Sequence, residues 1–548
     1  MLISASINVY LITVLIGFSV VLKNFLHQKE VEIYNLDILY GLFFLIFSSL
    51  FLNFFFPLKY FLLLTIIIGT FFFIRGLIRK QIKINLIYHF LIIFLFTFII
   101  YKNGFNVDTP MYHLQLIKWL NNEKIVFGLS NLEIRFGSNS LWFSIISLFQ
   151  FKYKNFNSIY TFNLIPFSIL IYQLVNIKQK ISYIFLALGI SYILLFSLLH
   201  PYLNGVILNH LNNTEVDTVG MVFFILTFFL FLKYFENENI ENLRLLILCS
   251  VICMTVKLSF FAVIVLPLYA LFKFYKNNFK SLFKDKLNLL MILFVFFWTI
   301  KNLITSGCLI FLANFTCFNF PWSPGLEEIE NYSKIVKGFA RDTRDRLRYS
   351  DFQHTIYSFN WFIPWFKDYA LNNAFLKIFS FISLLSLFLI KLFSSLNLFD
   401  KSFLRNKYYY LLFSVLILPN FYLWFNAPET RFGWGPMITL SCFLLSVVIF
   451  HFKHLKNLLF INAKFLTFTF LILLAFKNSS NYSFKNLIYQ NIRPIDYSNI
   501  VKINNFNGFN VYKSNNWKCY DFEEICVNKP KYKYKIFKKY QYFIFLKN

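Results

Sequence analysis

The chain has 548 residues, of which 58% are hydrophobic, 22% aromatic and only 14% charged. Soluble globular proteins carry about 25% charged residues, so this composition excludes an ordinary soluble enzyme. The aromatic content excludes a disordered chain. A polytopic membrane protein remains. Its net charge of +28 then indicates basic loops that hold the membrane orientation, not a nucleic-acid partner.

Long apolar runs predict an all-α membrane protein with about 14 transmembrane helices, in a range of about 12 to 15, since each span needs about 20 apolar residues. The start of the chain lacks the basic segment of a cleaved signal peptide, and more spans follow it. The predicted spans are residues 2–22, 36–56, 58–74, 84–101, 158–176, 181–199, 217–232, 243–256, 258–272, 287–304, 373–390, 408–425, 434–450 and 459–476.

One apolar segment decides the topology. Residues 139–151 are too few to cross a bilayer and predict a re-entrant or interfacial helix. If this segment does not cross, lysine and arginine concentrate in the loops of one side, and the short loops of the other side hold only Lys59, Lys257 and Arg431. The positive-inside rule makes the basic side cytoplasmic. We therefore expect a bacterial inner-membrane protein with four outward regions: loops 102–157, 200–216 and 305–372, and the tail 477–548.

The chain then divides into a membrane domain, residues 1–476, and a small extracytoplasmic C-terminal domain of α/β or β structure, residues 477–548. Alternating Lys and Tyr at 531–535 is typical of a strand. Because an extracytoplasmic tail is exposed to oxidising conditions, a disulfide between Cys519 and Cys526 is favoured over two free thiols. Cys308 and Cys317 form a second candidate pair.

The first outer loop carries an acid at the end of a span. Asp108 is followed by Thr109-Pro110, which is typical of a helix start, so Asp108 is a candidate helix cap. A carboxylate beside a helix N-terminus also stays ionised, which suits a general base. We expect the following helix to lie on the outer leaflet. The candidates for its buried face are Met111, Leu114, Ile117 and Trp119.

The second outer loop has two carboxylates, Glu215 and Asp217, at the mouth of the next span. Such acids are energetically costly near a membrane and are often functional. The alternative is that Asp217 or Thr214 caps the following helix. Since this loop falls on the same side as Asp108, the functional interpretation is favoured.

Three cations lie at outer span ends: Lys257, Lys301 and Arg431. Lys257 and Arg431 are candidates for holding a phosphate, Arg bidentately and Lys as a point charge. For Lys301, snorkelling to the interface is an equal alternative. Carboxylates and cations beside apolar helices suit an anionic lipid with a reactive head and a long tail, such as a sugar on a polyprenyl phosphate.

The order of these features resembles the GT-C class of integral-membrane glycosyltransferases. It is similar in particular to a poorly characterised bacterial multi-span membrane-protein group with short motifs in the first outer loop and the tail. The matching elements are Asp108, Tyr112-His113, Trp119, Gly128-Leu129, Asn131-Leu132, Arg135-Phe136-Gly137, Asn139-Ser140, Asn507-Gly508, Val511-Tyr512, Cys519 and Cys526.

The resemblance implies sugar transfer from a polyprenyl-phosphate donor to a glycan or lipid acceptor, at the outer face of the membrane, with inversion. Asp108 would be the general base, which His113 would orient unless His113 only bonds lipid or backbone. Glu215 or Asp217 would hold the acceptor, or a divalent cation if one is used. Lys257 and Arg431, with Lys301 as a further candidate, would stabilise the departing phosphate.

Three alternatives stay open. A lipid-linked oligosaccharide polymerase or ligase would use a diphosphate-linked donor, a transporter or flippase would place polar groups near the midplane, and a scaffold would use the acids only as caps. A geometric criterion separates them. Asp108, one of the acids Glu215 and Asp217, and a cation should line one outward cavity in an enzyme, but should point to separate surfaces in a scaffold.

Overall fold

The computed structural model describes most of the chain. The described residues are 1–27, 31–100, 106–138, 140–153, 156–176, 178–199, 211, 213–276, 284–341, 359–399, 401–452, 469, 471–473, 497–506, 509–527, 534–539 and 541–547.

The described chain is helical up to residue 452 and ends in β-strands. Its apolar sequence explains the helices, because a backbone in lipid must satisfy its own hydrogen bonds. The helices are α1 Leu2–His27, α2 Ile38–Asn53, α3 Leu62–Ile78, α4 Leu86–Ile100, α5 Leu114–Asn122, α6 Leu129–Leu132, α7 Leu141–Leu148, α8 Leu164–Tyr172, α9 Ile181–Leu199, α10 Val216–Glu236, α11 Ile240–Val256, α12 Val265–Tyr275, α13 Lys286–Ser306, α14 Leu326–Arg341, α15 Ala374–Ser395, α16 Lys401–Asn426 and α17 Thr430–His451.

The protein is embedded in a membrane. Among the described residues, 9 helical segments are long and apolar enough to cross a bilayer, and three shorter apolar segments accompany them, Leu86–Thr97, Leu164–Val175 and Ile181–Phe196. The predicted span 243–256 corresponds to the 17-residue helix α11. Most of the predicted span 459–476 lies outside the described residues. The total of about 14 spans therefore stays a prediction.

The helices differ in how much of their surface other helices cover. α10 is buried along almost its whole length and contacts α8, α9, α11 and α17, so it is the central helix of the bundle. In α3, α15 and α16 most side chains face outward, and most of these are apolar. A helix that is apolar on its exposed face is stable only against lipid, so these three helices form the rim of the bundle.

The segment that decides the topology contains only the short helix α7. Its 8 residues span about 12 Å at 1.5 Å per residue, far less than the roughly 30 Å of a bilayer core. All eight are buried, and α7 packs against α2, α5 and α11. This length agrees with the re-entrant interpretation of residues 139–151, of which Asn139 lies outside the described residues.

The described part of the tail forms two small sheets. The first sheet has three strands: β4 pairs with β3 in antiparallel and with β5 in parallel orientation. The second sheet is the antiparallel hairpin of β6 and β7. Of the predicted strand 531–535, only the last two residues are described, and they open β6. A short antiparallel pair, β1 and β2, lies in the first outer loop, and each of its strands has two residues. The strands are β1 Lys152–Tyr153, β2 Phe156–Asn157, β3 Ile500–Phe506, β4 Phe509–Ser514, β5 Ile525–Val527, β6 Tyr534–Lys539 and β7 Tyr542–Lys547.

The tail packs on α5, and this changes the environment expected for that helix. Gln115 Nε2 donates to the carbonyls of Tyr520 (3.0 Å) and Phe522 (3.2 Å), and Lys118 also donates to Phe522 (2.8 Å). The position of α5 on the outer leaflet stays a prediction. Its polar side is covered by protein, although Leu114, Ile117 and Trp119 are buried as expected.

Candidate functional site

Six of the polar residues singled out by the sequence lie together at one end of the bundle. We call this group the site cluster. Each member lies at the end of an apolar helix or in the adjoining loop, because a charged side chain is tolerated there and not in the apolar interior. The members are Asp108, His113, Glu215, Asp217, Lys257 and Arg431.

Asp108 and Arg431 form the first ion pair of the site cluster. Arg431 Nη1 lies 2.8 Å from Asp108 Oδ2, and the two side chains are 24% and 22% exposed. Asp108 precedes a π-helical turn, Thr109–His113, but its side chain makes no capping hydrogen bond, so the cap interpretation is not supported. Burial alone would raise the pKa of Asp108, but Arg431, with smaller contributions from His113 and Lys257, outweighs burial and holds the pKa at about 2.

Asp217 and Lys257 form the second ion pair. Lys257 Nζ lies 2.7 Å from Asp217 Oδ1, and Arg431 Nη1 reaches the other oxygen of Asp217 at 3.7 Å. Asp217 belongs to the first turn of α10 and does not cap it. Phe432 has Lys257 and Arg431 close to its ring, at 4.7 and 5.3 Å from the centroid. Arg431 thus bridges two carboxylates and is the charge that links the cluster.

His113 and Glu215 form the least satisfied part of the site cluster. His113 Nδ1 and Glu215 Oε1 are 4.0 Å apart, both side chains are almost fully buried, and neither atom has a hydrogen-bond partner in the described part of the chain. Burial raises the pKa of Glu215 well above its usual range, and the nearby Asp108 and Asp217 raise it further. Burial lowers the pKa of His113 to about 3. The 4.0 Å gap between these two atoms is longer than a hydrogen bond, and a ligand hydroxyl group that reached both would satisfy them.

Asn163 and Trp142 hold the end of the second outer loop, and the sequence analysis did not predict this role for either residue. Asn163 Nδ2 donates to the carbonyls of Asn213 (2.8 Å) and Glu215 (2.9 Å). Its own amide oxygen accepts a 2.7 Å bond from Trp142 Nε1 in α7. Helix α7 thus holds the backbone of Glu215 through Asn163. The sequence shows only that Asn163 directly precedes an apolar helix, which does not reveal this role.

The start of α17 is held in a similar way, and this positions Arg431. Tyr369 Oη lies 2.9 Å from Thr430 Oγ1, and Trp424 Nε1 donates to the carbonyl of Glu429 (2.9 Å). Gly433 packs against Trp424, where an added Cβ would lie 2.9 Å from the indole ring. The Arg-Phe-Gly sequence at 431–433 therefore combines a charge with a close helix contact.

Lys301 does not join the site cluster, which corrects its expected role in phosphate binding. It lies in α13, is 1% exposed, and donates a 3.1 Å hydrogen bond to Ser144 Oγ in α7. It does not snorkel either, because its ammonium group is buried in protein. The sequence places Lys301 near a helix end but cannot show which neighbour that helix face meets.

A second group of residues near Asp108 has aromatic and basic character. The Arg135 guanidinium lies 4.8 Å from the centre of the Tyr112 ring, and Arg135 Nε bonds Glu133 at 2.9 Å. Burial raises the pKa of Tyr332 in α14, and Arg135 and Asp108 act on it electrostatically. Tyr112 and Arg135 belong to the motifs of the resemblance, whereas no sequence signal points to Tyr332.

The two candidate cysteine pairs are joined as disulfides in the structure, Cys308–Cys317 and Cys519–Cys526. Both lie near the site end of the bundle. Cys308 follows the end of α13, whose start pairs with the opposite end of α11 through Asp285 and Arg244. Cys519 adjoins Tyr520, whose N–H donates to Pro110 at the site.

The site cluster does not fit a divalent cation in this arrangement. Hard cations need several free oxygen ligands, but Asp108 and Asp217 are each within 2.8 Å of a protein cation. A metal ion at these carboxylates would also face Arg431 and Lys257. Within the described ranges, no group of three or more His, Cys, Asp or Glu side chains is arranged to hold a metal.

One known family matches this chain. It is described as a domain of unknown function (DUF8201), and it matches residues 1–438. The chain belongs to this family. The match includes every member of the site cluster and stops before the tail. No curated protein and no solved structure matches the chain.

Proposed function

We propose that the protein is an inverting membrane glycosyltransferase. It moves a sugar from a polyprenyl-phosphate donor to an acceptor hydroxyl at the outer face of the bacterial cytoplasmic membrane. The observation that carries this proposal is the joining of two carboxylates and two cations by contacts of 2.7 to 3.7 Å at the ends of apolar helices. The cations match a phosphate, the carboxylates match a proton to be removed, and the surrounding helices match a lipid chain.

The reaction assigns one task to each ion pair. Asp108 takes the proton of the acceptor hydroxyl, and the oxygen attacks the anomeric carbon of the donor. The bond between that carbon and the phosphate oxygen breaks, and polyprenyl phosphate leaves with the electron pair. Arg431 and Lys257 stabilise the growing charge on the phosphate. The gap between His113 and Glu215 receives the acceptor hydroxyl group or its neighbour.

The position of Arg431 links donor binding to base strength. In the structure its guanidinium pairs with Asp108 and keeps the pKa of that carboxyl at about 2, which makes a weak base. When the donor phosphate takes the guanidinium, Asp108 loses its neutralising partner and its pKa rises toward the ordinary value. A base works best when its pKa approaches the working pH, so Asp108 becomes active as the donor arrives.

Two features support the outward orientation. Disulfides form in oxidising compartments, and both disulfides lie near the site end of the bundle. The free cysteines in the described part of the chain, Cys249, Cys253 and Cys442, are buried within helices. The basic loops of the other side meet the positive-inside rule. About 14 spans, including residues 459–476, belong to the same topology.

The site cluster also bears on the alternatives. Asp217 lies in the first turn of α10, Lys257 follows α11 and Arg431 lies in the first turn of α17. These positions are at helix ends, whereas transporters bind their substrates near the midplane. The members contact one another instead of pointing to separate surfaces, which favours an enzyme over a scaffold.

The test is turnover of a defined donor by the purified full chain. A panel of radiolabelled polyprenyl-phosphate sugars and polyprenyl-diphosphate glycans is incubated with wild type, Asp108→Asn and the exposed control Asp368→Asn. We expect release of polyprenyl phosphate from one monophosphate donor by wild type and the control, but not by Asp108→Asn. Turnover of diphosphate donors alone would favour the polymerase or ligase, and no turnover of any donor would contradict the proposal.

A further inference from the structure

A separate cavity of about 270 Å³ lies between α5 and the C-terminal strands. Helix α5 contributes Trp119 and Asn122, and the tail contributes Phe509, Asn510 and Phe543. None of these belongs to the site cluster. The volume is close to the lower limit of about 300 Å³ for small-molecule sites, so the cavity, which we call the tail cleft, has room for a small ligand.

One wall of the tail cleft is aromatic and well supported. Phe543 packs edge-on against Trp119, at 5.4 Å between ring centroids, and against Phe509, at 5.3 Å. Trp119 is 4% exposed, and its indole N–H is buried without a hydrogen-bond partner among the described residues. An aromatic surface of this kind suits a ligand that has an apolar face.

The other lining groups are amides and carboxylates. Asn510 offers donors and an acceptor, and Asn122 offers its N–H donors, since its amide oxygen already accepts from Lys59 at 3.4 Å. The side chains of Glu523 and Glu524 accept hydrogen bonds at the exposed rim. Hydroxyl groups of a sugar ring both donate and accept, so they match this mixture. The aromatic wall matches the C–H face of the same ring.

The charge of the tail cleft selects among sugars. Three carboxylates line it, those of Glu123, Glu523 and Glu524, against one lysine, Lys118. Lys118 Nζ donates to three backbone carbonyls, those of Phe522, Glu523 and Glu524, at 2.8 to 3.0 Å. Its three N–H groups are therefore used within the protein. Lys538 lies beside the cleft and pairs with Glu123 at 3.5 Å. A uronic acid, a phosphate or an anionic lipid head would therefore meet the carboxylates of Glu523 and Glu524, whereas a neutral or amino sugar would not be repelled.

The tail cleft is rigidly connected to the site cluster. Both use the same helical segment, since His113 and Trp119 are six residues apart, or about 9 Å along a helix axis at 1.5 Å per residue. The disulfide Cys519–Cys526 closes the loop that carries Glu523 and Glu524. A saccharide held in the tail cleft would therefore have a fixed position relative to Asp108.

We propose that the tail cleft binds neutral or amino-sugar units of a glycan, and that this glycan is the acceptor. Sugar binding stands on the tail cleft alone, whereas the acceptor role rests on the proposed function. The acceptor is then a glycan in preference to a simple lipid. One of its hydroxyl groups reaches Asp108 while the next units stay in the tail cleft.

Calorimetry on the purified full chain tests the binding. The probes are maltotriose, chitosan trisaccharide and trigalacturonate. We expect at least one of the first two to bind and trigalacturonate not to bind. Asn510→Ala and Glu524→Ala should each weaken binding about 5- to 10-fold through the loss of one hydrogen bond, while the exposed control Glu327→Ala should not change it. Failure of maltotriose and chitosan trisaccharide to bind, equal binding of trigalacturonate, or unchanged binding by both cleft variants would overturn the proposal.

A second measurement separates this proposal from the proposed function. Asp108→Asn should bind the trisaccharide like wild type but should not transfer sugar to it. Asn510→Ala should still release polyprenyl phosphate by transfer to water, while transfer to the glycan falls in parallel with binding. Glycan binding without any donor turnover would contradict the proposed function alone, and donor turnover without glycan binding would contradict the tail cleft alone.

Discussion

Two charged clusters lie at opposite ends of α11, and they are built differently. The site cluster lies where Lys257 follows the last residue of the helix. At the other end, Glu241 and Arg244 occupy the first two turns and join Lys23, Asp37 and Asp285. We call this second group the structural cluster, because its charges connect α1, α2, α11 and the start of α13.

The structural cluster is saturated with partners. Lys23 lies 3.0 Å from Asp37, whose other bond comes from the N–H of Tyr34 at 2.8 Å. Arg244 bonds both Asp285 (3.0 Å) and Glu241 (3.2 Å). The site cluster instead leaves His113 Nδ1 and Glu215 Oε1 buried and unpartnered within the described chain. Since buried polar atoms are normally satisfied, the contrast supports the proposal that the site cluster receives a ligand while the structural cluster maintains the fold.

The largest expected effect is the loss of transfer in Asp108→Asn. The amide cannot accept the proton, and a positioned base contributes about 10²- to 10⁴-fold, so the rate should fall in that range. Asp37→Asn, the same change in the structural cluster, should lower the yield of folded protein but not the rate per folded molecule. Transfer assays on monodisperse protein from size-exclusion chromatography measure both. Near wild-type transfer by Asp108→Asn would remove Asp108 from the role of base.

The next effect is a weaker hold on the donor in Arg431→Lys. Lysine keeps the charge but loses the planar fork that can bind a phosphate bidentately. We expect the KM for the donor to rise about 10- to 100-fold, in line with the loss of a charge-assisted hydrogen bond. Steady-state kinetics at saturating acceptor measure it, with Arg244→Lys as the matched control. An unchanged KM would show that Arg431 does not contact the phosphate.

Substitutions in the structural cluster should lower stability more than substitutions in the site cluster, which is the reverse of their expected effects on activity. Lys23→Met leaves Asp37 buried without its cation, and breaking a buried pair costs about 3 to 5 kcal/mol. Lys257→Met should cost less, because the Lys257 side chain is 22% exposed and Asp217 keeps Arg431 at 3.7 Å. Melting temperatures in one detergent compare the two variants. A larger drop for Lys257→Met would mean that the site cluster also maintains the fold.

Local sequence pattern was enough to find most of the site cluster. Asp108, Glu215, Asp217, Lys257 and Arg431 stand out because each is a charged residue at the end of an apolar run. A charge there needs a partner or a function, and helix ends on one side of a membrane lie in one plane. The pattern does not reveal which partner each side chain chooses. Capping and ion pairing predict the same residue types.

The features that the sequence pattern did not predict depend on contacts between residues that are far apart in sequence. Lys301 has the same local pattern as Lys257 but faces Ser144, which is distant in sequence. The amphipathic pattern of α5 indicates one apolar face, but not that Gln115 on its polar face would meet Tyr520. These contacts depend on the path of the whole chain. For the same reason, the tail cleft leaves no motif in either of its two segments.

The protonation of Glu215 gives a pH-dependent test of the comparison. Its pKa is raised above the ordinary value, so the folded protein binds a proton that the unfolded chain releases. This stability is fully present below the ordinary pKa of about 4.3 and is lost as pH rises toward the folded pKa, at about 1.4 kcal/mol per pH unit. Glutamine mimics the neutral acid and has no such loss.

Glu215→Gln should therefore become more stable relative to wild type as pH rises from 5 to 8. The measurement is the difference in melting temperature at each pH, and Glu327→Gln, an exposed carboxyl, should show no trend. A difference that stays flat with pH would mean that Glu215 is ionised in the folded protein. The gap beside His113 would then face an anion, and it would suit a cationic group better than a hydroxyl.

The smallest effect is expected for Lys301→Met. Lys301 touches neither cluster, so transfer should stay within about twofold of wild type. Among the described residues no opposite charge pairs with Lys301, so its replacement by an apolar side chain of similar length removes a desolvation penalty, and stability should stay equal or rise. Transfer rate and melting temperature of this variant serve as the baseline for the other substitutions. A loss of transfer as large as that of Arg431→Lys would return Lys301 to the phosphate site and require α13 to turn toward Asp108 when the donor binds.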